Sequence, residues 1–104
     1  MKITCIKCGK MIADENHKGI SASISGSIMG DEYIESYFYC DECEVYTLEI
    51  YHDRFLGEDD IRYQGPISKE KGEEIIKLIQ QCEQPWDKKC RCEAHKKYFG
   101  DSLD

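Results

Sequence analysis

Seven cysteines and three histidines are the residues of this 104-residue chain best suited to metal chemistry, and their spacing selects eight of the ten. Cys5 and Cys8 stand in "CIKCGK", and Cys40 and Cys43 in "CDEC", with 31 residues between the pairs. Two residues between thiolates let one tight turn aim both sulfurs at a single ion, and two such turns complete a tetrahedral site. Zinc suits that site because it binds thiolate strongly and imposes no geometry of its own; iron is the alternative for four thiolates. Gly9, directly after the first pair, can take the left-handed conformation such a turn needs. A redox-active Cys-x-x-Cys would open a helix in a βαβ unit. The residues after Cys43 are "EVYTLEIY", a β-like run, which argues against that chemistry.

Three cysteines remain, all within "CEQPWDKKCRCEAH". Cys82, Cys90 and Cys92 need one more ligand to satisfy zinc, and His95 is close enough to supply it. The count then closes on one site of four cysteines and one of three cysteines plus a histidine, with no thiol spare, so two zinc ions are expected. Cys82 is expected at the end of a helix, the other three ligands in a loop folded under it, and Trp86 over the site. Lys88, Lys89 and Arg91 would offset the thiolate charge. His17 and His52 sit in polar stretches and receive no role.

The elements that must position these ligands change character near residue 67. "ITCIKCGKMI" reads as a strand, a turn at the cysteines and a return; "GISASISGSI" reads as a strand thinned by Gly26. "YIESYFYC" and "VYTLEIY" are rich in aromatic and β-branched residues, as strands are. "MGDE" and "FLGEDD" read as turns, and "IRYQG" as a last short strand. A helix then starts at Ser68 as N-cap, with Glu70, Glu73 and Glu74 early in it, and runs to Gln84, where Pro85 stops it. Ile75, Ile76, Ile79 and Cys82 share one face, with Leu78 at its flank.

The two cysteine knuckles over residues 3–51 resemble the zinc-ribbon superfamily, in which two β-hairpin turns clamp one zinc. A narrower likeness is to the ribbons of transcript-cleavage elongation factors. There an Asp-Glu pair at a hairpin tip helps hold a catalytic magnesium in RNA polymerase; Asp31-Glu32 stands similarly before "YIESYFYCDEC". The chain departs from that pattern: no arginine precedes the pair, the spacer is longer, and Glu44 replaces the usual glycine. The resulting expectation is a small α+β protein, an antiparallel zinc-ribbon β-sheet followed by one amphipathic helix and a C-terminal zinc knot. It forms a single domain over 1–104, β-rich to 67, with helix and tail at 68–104.

Bulk properties narrow the function. The formal charge is −7, and residues 31–67 carry eleven acids against Arg54 and Arg62. That balance makes general nucleic-acid binding a poor expectation, since phosphate contacts dominate such affinity. The cations Lys88, Lys89, Arg91, Lys96 and Lys97 are the one basic cluster. No apolar run approaches the roughly 20 residues of a bilayer crossing, and an odd number of thiols argues for a reducing compartment, so a cytoplasmic protein is expected. Closed four-ligand sites point to structural metal and a non-enzyme. Three roles follow: an adaptor binding a protein partner through Tyr33, Tyr37, Tyr39, Tyr46 and Tyr51; a nucleic-acid or transcription-associated module using the basic tail; and a thiol-based metal or redox sensor.

Overall fold

A computed structural model of the protein describes residues 3–13 and 20–100. His17 lies outside them. Strands β1 (Ile3–Thr4) and β2 (Met11–Ala13) form an antiparallel hairpin around the first cysteine pair. Strands β3 (Ile20–Ile28), β4 (Asp31–Cys40), β5 (Val45–Asp53) and β6 (Asp60–Ser68) form an antiparallel sheet in sequential order. Each turns directly into its neighbour, as short connections between antiparallel strands require. The β3–β4 connection is Met29-Gly30, two residues with positive φ, which is the hairpin turn whose twist matches the strands.

Strand β6 is longer than "IRYQG" and continues through Pro66 to Ser68. Proline is tolerated because β6 is an edge strand, and the extra residue is absorbed in a bulge. Tyr46 pairs with Ile67 and Leu48 with Gln64, so two steps along β5 face three along β6.

Alternation along the strands gives the sheet two different faces. On one, Ile24, Tyr37, Tyr46 and Leu48 are buried against Ile79 of α1 (Lys69–Gln80). On the other, Phe38 packs with Ile3 and Ala13 of the first hairpin. Ser68 caps α1, accepting the Lys71 N–H at 3.2 Å. A twelve-residue helix is marginal in water; burying a side chain such as Ile79 contributes about 1.5–3 kcal/mol, so packing on the sheet holds α1.

Two expectations for the C-terminal part are corrected. α1 ends at Gln80 rather than Gln84, because the Gln81 and Cys82 N–H groups bond to the carbonyls three residues back, of Leu78 and Ile79, and the Gln84 N–H then turns to the Cys82 sulfur at 3.4 Å. Pro85 sets only the latest place the helix could stop. The tail also contains a second helix, α2 (Glu93–Phe99), where a loop was expected. Its sequence has the right ends, Glu93 in the first turn and Lys96 and Lys97 in the last. At seven residues it is too short to form alone, and packing makes it: Ala94 and His95 are buried.

Candidate metal centres

The first centre is built by two copies of one turn. In the β1–β2 hairpin the Gly9 N–H donates to the Cys5 carbonyl at 2.8 Å; in the β4–β5 turn the Glu44 N–H donates to the Cys40 carbonyl at 2.8 Å. Both residues after the Cys-x-x-Cys have positive φ, 80° at Gly9 and 53° at Glu44. The Ile6 N–H donates to Thr47 Oγ1 at 3.0 Å and locks the first turn against β5. Cys5, Cys8, Cys40 and Cys43 thereby converge, each offering an atom within 4.8 Å of the other three. Cys5 and Cys40 are buried, while Cys8 is exposed.

The second centre joins the end of α1 to the start of α2. Cys82 is buried just past α1, Cys90 lies in the connection, and Cys92 is the N-cap of α2, accepting the His95 N–H at 3.5 Å. His95 is fully buried in the first turn of α2. Its Nδ1 lies 3.1 Å from Cys82 Sγ and 3.6 Å from Cys92 Sγ. Its Nε2 lies 2.9 Å from the Ser25 carbonyl, which can only accept, so Nε2 carries the proton and Nδ1 presents its lone pair to the sulfurs. Orienting a ligating histidine through its other nitrogen is how metal centres fix the tautomer.

The spacings fit a metal ion. A tetrahedron with metal–sulfur bonds of about 2.3 Å has edges of about 3.8 Å, and a nitrogen ligand shortens them slightly. Cys8 and Cys40 Sγ are 3.8 Å apart, Cys82 and Cys90 Sγ 3.7 Å. Those separations are far beyond a disulfide bond, and all seven cysteines are free. Electrostatics agrees. Burial opposes ionisation of Cys5, but the amides of Cys8 and Lys7 outweigh it and bring the thiol to about 7. Hydrogen bonding to the Cys8 sulfur, then burial, pushes Cys43 up to about 12. In the second centre the His95 amide lowers Cys92 to about 6, and burial raises Cys82 to about 12. Crowded sulfurs, four in the first centre and three in the second, resist ionising together without a cation among them; a divalent ion removes that repulsion and takes them as thiolates.

Other expected residues are placed differently. Trp86 does not cover the second centre; it is 71 % exposed. The space is closed instead by the β3 edge, where the Ser25 N–H donates to the Pro85 carbonyl at 2.7 Å. His52, read as a surface residue, is buried, stacked on Tyr33, with Nε2 2.8 Å from Asp31 Oδ2. Asp31 also accepts the Phe55 N–H at 2.9 Å, and that amide, with His52, lowers its pKa. Glu32 pairs with Lys88, and Arg91 donates to the carbonyls of Lys88 and Cys90. Of the tyrosines named as anchors, Tyr37 and Tyr46 are buried. Neither Ser25 nor the Asp31–His52 pair has a sequence signal, since both act through contacts between residues far apart in the sequence.

Among the described residues, no helix is long and apolar enough to cross a membrane. No known family matches the chain, and neither curated proteins nor solved structures give a match.

Proposed function

We propose that the protein is a zinc-held interaction module, with one structural zinc ion in each centre and no catalysis at either. One observation carries the reading: two separate tetrads use every cysteine of the chain, and the second adds a histidine whose tautomer suits ligation. Four protein donors leave no position for a substrate or a reactive water. Structural zinc contributes about 10–16 kcal/mol of apparent binding energy in small peptides, so the metals hold the β1–β2 hairpin and α2 onto the sheet. The adaptor role is supported by large apolar side chains left exposed on an acidic sheet. Elemental analysis of protein purified without added metal is expected to give two zinc ions per chain, and His95→Ala one. Iron in the first centre, or a wild-type value near one, would remove the reading.

A thiol-sensor role has one observation in its favour: Cys8 is an exposed ligand, open to oxidants. Peroxide would then release zinc from the first centre before the second. The transcription-associated reading has less support, because Asp31, Glu32, Lys88 and Arg91 are committed to internal contacts.

A further inference from the structure

The sheet face that carries Phe38 is covered by the first hairpin over only half its length. On the other half, Ile34 pairs across the ladder with Tyr51, and Tyr51 with Ile61. Ile34 and Ile61 are 38 % and 40 % exposed, and Tyr63, on the same face, 43 %. Trp86 extends this row past the β3 edge: it shares with Ser25, Ile34 and Lys88 a cleft of about 430 Å³. Trp86 is not a loose surface residue. The segment that carries it is anchored by Cys82 and Cys90, by the Pro85 carbonyl on Ser25, and by the Lys88–Glu32 ion pair.

Acids surround the row. Glu49 and Asp53 flank Tyr51 along β5, and Asp59 accepts the Tyr51 hydroxyl at 2.6 Å. That hydrogen bond, burial and the charges of Asp59, Asp53 and Glu32 raise the Tyr51 hydroxyl to about 12, which reports a negative field at the centre of the row. Tyr63 donates to Glu49 at 3.0 Å. Lys88 is held by Glu32, and Arg62 pairs across the ladder with Ile50, on the opposite face. Spacing bears on the shape of an occupant. Neighbouring strands are about 4.8 Å apart, so the row repeats at close to the 5.4 Å pitch of a helix, whereas one face of an extended chain repeats at about 6.7 Å.

We propose that this half-face is the docking surface of the module and receives a basic amphipathic helix of a partner protein. Its apolar stripe would lie along Ile34, Tyr51 and Ile61, with one side chain in the cleft under Trp86. Lysines or arginines beside the stripe would meet Glu49, Asp53 and Asp59. The inference rests on the adaptor reading. It also ties the second metal centre to recognition, because that centre holds Trp86 beside the sheet.

Trp86 is the single tryptophan of the chain and reports its own burial. The zinc-loaded protein would be titrated with a helical Leu/Lys peptide of about three turns and with its Leu/Glu counterpart. The Leu/Lys peptide is expected to shift Trp86 emission to the blue with micromolar affinity, and the Leu/Glu peptide to leave it unchanged. The double variant Ile34→Lys, Ile61→Lys, confirmed to retain two zinc ions, is expected to bind the Leu/Lys peptide at least about tenfold more weakly. Equal affinity in that variant would reduce the attraction to diffuse charge and overturn the proposal. So would a blue shift that grows with protein concentration alone, which would make the occupant a second copy. A shift on phosphatidylglycerol vesicles without one on the peptide would make it a membrane. A native partner captured equally by wild type and double variant would remove this surface and leave the adaptor reading standing; no peptide binding and no captured partner would remove both.

Discussion

Glu44 and Gly9 hold the same place in two copies of one turn, and the turn suits only one of them. A side chain in the left-handed region costs roughly 1–2 kcal/mol, while glycine there costs only its extra freedom in the unfolded chain. Glu44→Gly is therefore expected to stabilise the zinc-loaded protein by about 1 kcal/mol, and Gly9→Ala to destabilise it by a similar amount. A Cβ at Gly9 would meet nothing within 4 Å, so the second effect is conformational and not a clash. Thermal midpoints of the two variants at fixed zinc concentration check both signs. A lower midpoint for Glu44→Gly would mean that its carboxylate does something at the centre that the backbone does not reveal.

At the scale of elements, helix α1 sets two tendencies against each other. Gly72 sits inside a helix, where alanine is favoured by about 1 kcal/mol. The same residue is buried against the Tyr46 ring, and an added Cβ would come within 2.2 Å of it. Overpacking of that kind costs typically about 1–3 kcal/mol, so the clash wins and Gly72→Ala is expected to lower stability although helix propensity predicts a gain. Chemical denaturation decides it; a stabilised variant would show that Tyr46 has room to retreat. Close approach also explains the glycine that thins β3. Phe99 of α2 lies where a Gly26 side chain would be, with ring atoms 2.7–3.0 Å from its ideal Cβ.

For the molecule as a whole, helix α2 is tied to the sheet by polar groups beyond the His95 contact to Ser25. The Tyr98 hydroxyl donates to Glu35 at 2.5 Å and lies 2.5 Å from the Tyr37 hydroxyl. Burial raises the pKa of Glu35 above its ordinary 4.5, against the lowering effect of Tyr98; burial also raises Tyr37 to about 12. The sign for Glu35 follows from linkage. A carboxyl whose folded pKa is raised favours the fold fully below its unfolded pKa and loses that contribution as pH rises through the folded value. Glu35→Gln keeps an acceptor for Tyr98 and removes the charge. It is expected to match wild type below about pH 4.5 and to become relatively more stable as pH rises above that. Stability of both proteins across that window, compared as a difference so that acid loss of metal cancels, checks the sign. A difference that does not change with pH would mean Glu35 is solvated.

The two clusters of candidate ligands could be read without a structure because coordination chemistry restricts both residue type and spacing. Cys-x-x-Cys can aim two sulfurs at one ion wherever it occurs, and the remaining cysteines with His95 complete a second set of four. Strand composition and the Ser68 cap are local properties, and they were equally readable. The early end of α1 and the existence of α2 were not, because both depend on where the Cys82 and Cys92 sulfurs must go. Nor could the sequence reveal that Trp86 is left in solvent, that the Ser25 carbonyl fixes the His95 tautomer, or that His52 holds the β3–β4 turn. The last two are contacts between residues 70 and 21 positions apart, formed only when strand register and helix packing bring their backbones together.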